Sequence, residues 1–508
     1  MKNKLLLLFP LVAMLLTGCE INNFYISHNQ SISKDYSIID PAPSWGEGYY
    51  KSSQVKYTLR DNNEQLGWNT LNSTGEQKIL VVPVQLKDAT AWTNKMLSNV
   101  EKVFFGEASD TSWHSVSSFF EESSYGKLHI TGEVTDVLKV NDYTVQQLNK
   151  YAEGASEIIA DLFDKSSIVS SSKRKEYDQD KDGYLDATVF VYSNAYSTAS
   201  STAYWAWCYY TETSSNINVP KVNNYMWASY TFMNDTYDAL LAPTGLEAHT
   251  YIHETGHLLG LDDYYCYDST QPWDCAGDRD MQSYNIGDHN IYSKMALGWI
   301  NPYVVTDSCE LYLRSSALYD DAILIKNTWN GSVFDEYILI EFYTPEGANY
   351  QDSRYAYDTR NKMYDYSGLR IYHVDARLVQ FELNRQGYVI NSQYIDDFVE
   401  NAYCFVGASN SIDYQYLTKK QNPNNYIRYL HLIDKGGKNT LSAGTSTSRN
   451  SIKIDGNSTL WTTGDTFEAT KAYFANGNNT FNDGNKVGYR VTVGEISNGT
   501  INVQINKI

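Results

Sequence analysis

Apolar and polar positions follow different periods along this chain, and the places where the period changes outline its elements. A basic start, Lys2 and Lys4, leads into an apolar run from Leu5 to Leu16. That run is too short to span a bilayer and has the form of a signal-peptide core. From Glu20 to about Thr74 the chain is polar, rich in Ser, Asn and Tyr and weakly periodic, the texture of a linker or prosegment. Ile79-Leu80-Val81-Val82-Pro83-Val84-Gln85-Leu86 then predicts a strand buried on both faces. Ser115 to Glu122 and Val145 to Phe163 carry apolar residues at helical spacing, and Lys127 to Val140 and Ala187 to Tyr192 are strand-like. After Trp299-Ile300-Asn301-Pro302 short alternating runs dominate, such as Tyr337 to Phe342 and Leu369 to Val374, separated by Asn/Gly turns. These predict an antiparallel, β-rich C-terminal region of sandwich type. The fold class expected is α+β, divided at 1–18, 19–75, 76–305 and 306–508.

Composition narrows the partners. With 508 residues the chain has room for two or three cores. A formal charge of −20 and the lack of any Lys/Arg-rich run exclude a nucleic-acid backbone as partner, because counterion release needs a basic footprint. The sequence Leu16-Thr17-Gly18-Cys19, at the end of the apolar core, resembles a bacterial lipobox. It predicts a mature chain that begins at a lipidated Cys19 and is held by that lipid on the extracellular face of a bacterial membrane. Of the remaining cysteines, Cys266 and Cys275 are the best disulfide candidates, and Cys208, Cys309 and Cys404 could supply one further pair and a free thiol. No CxxC occurs, which argues against cysteine metal ligands.

The most informative stretch is His253-Glu254-Thr255-Gly256-His257-Leu258-Leu259-Gly260-Leu261-Asp262-Asp263. On an α-helix, positions four apart differ by about 40° and about 6 Å of rise, so His253 and His257 share a face and can share a zinc ion. Glu254 sits beside them, placed to take a proton from an attacking water and pass it to a leaving amine. Gly260 gives the freedom to end the helix and turn the chain, returning Asp263 as third ligand, with Asp262 as the competing choice. Three protein ligands leave the fourth position open, which is the catalytic pattern. His249 is a helical turn away from the pair and is expected to serve packing or support.

A second ion site is suggested by Asp178-Gln179-Asp180-Lys181-Asp182-Gly183-Tyr184-Leu185-Asp186. Carboxylates Asp178, Asp180, Asp182 and Asp186, with Gly183 at the bend, match the first part of an EF-hand-like calcium loop, although position 12 is Val189. No GxSxG, GxGxxG or P-loop pattern supports a serine hydrolase, a dinucleotide enzyme or an NTPase.

The chain resembles the secreted bacterial metallopeptidases typified by immune inhibitor A, HExxH zincins with a metzincin-like extended motif. Besides the zinc helix, Asp280 to Asn290 with Ser293-Lys294 and Leu297-Gly298-Trp299 is similar to that family's second signature. Ile79 to Asp88, Ser124-Tyr125-Gly126-Lys127 and Ser367 to Asp375 also echo family segments, so the likeness covers roughly residues 76 to 380. It implies a zincin-type catalytic domain of twisted sheet and active-site helix, and a zinc endopeptidase acting on proteins or peptides with Glu254 as general base. It also implies Met281 beneath the metal, Tyr284 as oxyanion stabiliser and a supporting role for Asp288 and His289. Residues 19–75 would then be a candidate inhibitory prosegment, with Asp35, Asp40 or Asp61 at the open position. The rival reading is a surface lipoprotein with a peptidase-like fold that mainly binds a host or cell-wall ligand.

Overall fold

The computed structural model describes residues 44–45, 48–66, 69–196, 202–211, 213–234, 245–265, 276–277, 279–355, 362–383, 389–395, 402–404, 428–435, 458–469 and 479–508. The signal segment, Cys19, Asp35, Asp40 and the Cys266/Cys275 pair lie outside these residues, as does the side chain of Cys404. Cys208 and Cys309 are free thiols.

The chain begins with β1 (Ser44–Trp45), β2 (Tyr49–Lys51) and α1 (Leu59–Leu66), then enters the long strand β3 (Gly75–Leu86). There follow α2 (Asn94–Phe105), α3 (Val116–Ser123), β4 (Leu128–Val134), β5 (Leu138–Val140), α4 (Val145–Leu148), α5 (Gly154–Lys165), α6 (Ser171–Arg174) and β6 (Thr188–Tyr192). A hairpin, β7 (Trp207–Tyr210) and β8 (Asn224–Ser229), precedes α7 (His249–Leu258), α8 (Met281–Tyr284) and α9 (Ile291–Ala296). The strands form a sheet in the order β4-β3-β6-β8-β7, parallel except that β7 runs antiparallel to β8, with β5 also paired to β3.

Alternation along β3 explains its unbroken apolar sequence. Ile79 and Val81 enter the core that holds α2, α3 and α7, whereas Leu80, Val82, Val84 and Leu86 enter the opposite core with α5. A parallel sheet covered by helices on both faces needs apolar side chains at both parities. The helix expected over Val145 to Phe163 is instead two helices. Ala152 adopts a positive φ of 49° between them, so an apolar stripe that reads as continuous is interrupted by backbone geometry.

The rest of the chain is β9 (Tyr303–Val305), β10 (Cys309–Arg314), β11 (Ile323–Ile325), β12 (Glu336–Tyr343), α10 (Asn349–Arg354), β13 (Gly368–Asp375), β14 (Leu378–Leu383), β15 (Val389–Ile395), β16 (Ala402–Cys404), β17 (Leu430–Leu432), β18 (Thr466–Glu468), β19 (Tyr489–Ser497) and β20 (Thr500–Lys507). Two of its sheets, β17-β13-β12-β11-β9-β2 and β1-β10-β20-β19-β18, share one core. The pairing is antiparallel save for β9 with β11. Strand β12 is buried on both faces: Ile338, Ile340 and Phe342 point into that two-sheet core, and Tyr337 and Leu339 into the core around α7. The β-rich region therefore completes the hydrophobic surroundings of the motif helix. The protein is α+β, with ten α-helices and several sheets among the described residues.

Segment 48–75, linker-like in sequence, is built into this structure. Strand β2 pairs with β9, and Val55, Leu59 and Leu71 are buried in the same core as α7. Among the described residues no helix is long and apolar enough to cross a membrane.

Candidate metal centre

Helix α7 carries His253 and His257 one turn apart, as their spacing requires. His253 Nδ1 donates to the carbonyl of Met281 at 2.8 Å, and His257 Nδ1 to the carbonyl of Leu261 at 2.7 Å. A proton fixed on each Nδ1 leaves each Nε2 lone pair available to a metal. The two Nε2 atoms lie 3.1 Å apart. Asp263 Oδ1 is 3.0 Å from the first and 3.4 Å from the second.

Gly260 makes this return possible, with a φ of +97° that side chains other than hydrogen rarely adopt. Two groups hold the helix end from outside: Leu71 N and Asn224 Nδ2 both donate to the carbonyl of Leu258, at 2.9 and 3.1 Å. The geometry brings Asp263 to the pair, while Asp262 stands half-buried outside the cluster.

The donor set suits zinc. Bonds of about 2.0–2.2 Å arranged tetrahedrally place neighbouring donors roughly 3.3–3.6 Å apart, near the separations found here. The charges of the three groups are complementary. Burial works against charge on His257, yet the facing Asp263 carboxylate outweighs it and holds the imidazole up to about 10. Burial likewise opposes ionisation of Asp263, and the two imidazoles override it, holding the carboxyl far below the usual range. Glu254, itself buried, has its carboxyl raised by burial, partly offset by His253 and His257.

The floor of the site is the turn around α8. Asp280 caps that helix through Gln282 N at 2.8 Å and also accepts from Asn290 N and Nδ2 at 2.9 and 2.8 Å. Gln282 Nε2 donates to the carbonyl of His253 at 3.2 Å, and Tyr264 N to the carbonyl of Gln282 at 2.9 Å. A side chain at Gly256 would collide with Gln282, its Cβ only 2.3 Å from Oε1. Met281 is buried in this turn and meets the histidine through its carbonyl, and Tyr284 is half-buried at the end of it.

Gln282 and the two carbonyls were not legible as site groups, since a carbonyl has no residue signature. Asp280 carried one, an acidic cap before a short helix.

The other expected residues separate clearly. His249 lies between Glu247 and Asp352, hydrogen-bonded to both, and stacks on Trp113 with ring centroids 3.9 Å apart. Asp352 also accepts from Gly287 N at 2.6 Å, so α10 in the β-rich region supports the helix and the floor together. Asp288 is buried against Lys294 Nζ at 2.6 Å, and His289 packs among Phe119, Phe120 and Trp299. Asp61 accepts from Thr58 N and Oγ1 at 2.6 and 2.8 Å in the first turn of α1, which places it at a helix start.

In the acidic loop, Asp178, Asp180 and Asp186 converge. Asp182 uses its oxygens on Tyr184 N at 2.8 Å and Asn69 Nδ2 at 3.2 Å. Burial, reinforced by the neighbouring acids, raises Asp178, takes Asp182 to about 6 and takes Asp186 to about 7. The loop runs from a 3₁₀ turn at Lys175–Tyr177 into strand β6, where Val189 is core, so it lacks the flanking helices of an EF-hand.

In comparisons with known proteins, no family model and no curated protein matches the chain.

Proposed function

We propose that the protein is a zinc-dependent endopeptidase of zincin type, secreted, anchored by lipid at Cys19 on the extracellular face of a bacterial membrane, and acting on extracellular proteins. The observation that carries this reading is the convergence of His253 Nε2, His257 Nε2 and Asp263 Oδ1 within 3.4 Å of one another, beside a buried Glu254. Both histidine Nδ1 atoms are committed to carbonyls, so the three donors face one point.

Bound there, zinc supplies Lewis acidity to water and to a peptide carbonyl. The chain's own groups do the rest. Glu254 takes the proton of the attacking water on a carboxylate oxygen and delivers it to the amine nitrogen as the peptide bond breaks; the raised affinity of this buried carboxyl for a proton suits both halves of that transfer. Tyr284, on the turn beneath the helix, is assigned to the developing oxyanion. Strand β7 is the last strand of its sheet among the described residues and runs beside α7.

The test is mass-spectrometric mapping of cuts in an unfolded protein mixture, with and without a chelator and after zinc is restored. Cuts that stop with the chelator and return with zinc support the reading. No cuts from protein with stoichiometric zinc would reject it in favour of a ligand-binding lipoprotein.

A further inference from the structure

The acidic loop before β6 has no part in the chemistry proposed above, yet it gathers three carboxylates where the fold gives them no counter-charge. Asp178, Asp180 and Asp186 each bring a carboxylate oxygen within 4.8 Å of the others. Asp178 is only 5% exposed, and its Oδ1 has no hydrogen-bond partner. Asp186 is 7% exposed, with one oxygen accepting from Gln179 N at 3.0 Å, and Asp180 accepts from Asp182 N at 3.2 Å. No Lys, Arg or His ion pair to these three acids occurs among the described residues, although the nearby lysines Lys173 and Lys78 pair with other acids. A buried carboxylate oxygen without a partner carries a desolvation penalty, and two like charges beside it enlarge that penalty. An oxygen-seeking cation removes both costs.

We propose that Asp178, Asp180 and Asp186 bind a calcium ion that clamps this loop to the connection between β7 and β8. The donors are all hard oxygens, which disfavours zinc or copper. A crowded set of carboxylates on one turn suits the larger coordination number of calcium better than magnesium, which keeps most of its water.

The loop is already the hub of that connection. Gly183 O accepts from Asn216 N at 3.0 Å and Lys221 N at 3.2 Å, and Leu185 N donates to Lys221 O at 2.8 Å. Tyr184 Oη donates to the carbonyl of Thr213. Gly183 has a φ of +90°, and a Cβ on it would come within 2.8 Å of the Asn216–Ile217 backbone. On the other side Asp182 holds Asn69, just before β3. An ion at the three carboxylates would therefore fix residues 213–221 against the sheet, and with them the base of the hairpin that carries β7.

The experiment uses the full chain with zinc held constant in calcium-free buffer. Calcium chloride is titrated while thermal unfolding is followed. In parallel, sensitised terbium luminescence is displaced by calcium. The expected result is half-saturation at about 10⁻⁴–10⁻³ M, the range of extracellular calcium modules, with a rise in Tm on the order of a few degrees. Magnesium at the same concentration should not reproduce it. Asp178→Asn with Asp186→Asn should weaken calcium at least ~10-fold by removing two charged ligands. Asp136→Asn, an exposed acid elsewhere, should not.

Without calcium the double variant should melt no lower than the parent, because neutralising the cluster relieves repulsion. Calcium should also slow proteolysis within 213–221 in the parent and not in the variant. The proposal is overturned if the parent shows no calcium-dependent shift, if the variant responds like the parent, or if the variant is already destabilised in calcium-free buffer. None of these readouts depends on peptidase activity.

Discussion

Gly260 couples helix α7 to Asp263, and the cost of altering it can be worked out from its surroundings. Alanine there must hold a φ of +97° and place its Cβ 2.3 Å from Asn63 Nδ2, on a side chain that is itself buried. The left-handed backbone costs roughly 1–2 kcal/mol for a residue with a Cβ. Forcing a packed neighbour aside adds roughly 1–3 kcal/mol. Gly260→Ala should therefore lower stability by about 2–5 kcal/mol. Because Asp263 hangs from the same turn, zinc affinity should fall at least ~10-fold, the equivalent of about 1.4 kcal/mol.

Asn63→Ala in the same chain removes the collision but leaves the backbone cost, so the double variant should recover about 1 kcal/mol or more relative to additivity. Urea unfolding followed by circular dichroism, with zinc competition against a chromophoric chelator, measures both quantities. An unchanged midpoint and zinc affinity in Gly260→Ala, or no recovery in the double variant, would refute the argument that this turn places the ligand.

Three further outcomes follow from packing and charge. A chain that starts at Glu76 loses β2, Asn63 and the buried Val55, Leu59 and Leu71. Each such apolar side chain contributes roughly 1.5–3 kcal/mol, so this truncation should melt lower and turn over more slowly than the intact chain, the opposite of activation by prosegment removal. His249 is held up to about 9, above its ordinary 6.5, because Glu247 and Asp352 outweigh the opposing effect of burial. Its charge-linked stabilisation is complete below about pH 6.5 and is lost as pH rises through about 9, so the Tm gap between the parent and His249→Gln should narrow across that window. Lys294→Met strands the buried Asp288 and should cost about 3–5 kcal/mol, much of it restored by adding Asp288→Asn; equal melting of all three proteins would contradict the pairing.

The motif helix and its return were legible because each rests on local chemistry: four-residue spacing for His253 and His257, a glycine for the turn, and a short reach to Asp263. Strand β3 was legible from its two-faced apolar run. Segment 48–75 was not, because β2 and α1 are short and bury single residues such as Leu59 and Leu71, too few to make a period. The break at Ala152 was invisible for a different reason, since nothing in an alanine announces a positive φ. The support of α7 by Asp352 and Asn224 depends on long-range packing that spacing along the chain does not encode. For the same reason the apolar alternation after 302 predicted strands correctly but not that β12 would serve two cores.

The most direct test of the central claim compares the parent with Glu254→Gln for zinc content and cleavage of one protein substrate, measured on the same preparations. The account predicts stoichiometric zinc in both and turnover reduced at least ~100-fold in the variant, the scale of a lost general base. Turnover within about threefold of the parent, a difference of well under 1 kcal/mol in the barrier, would contradict it.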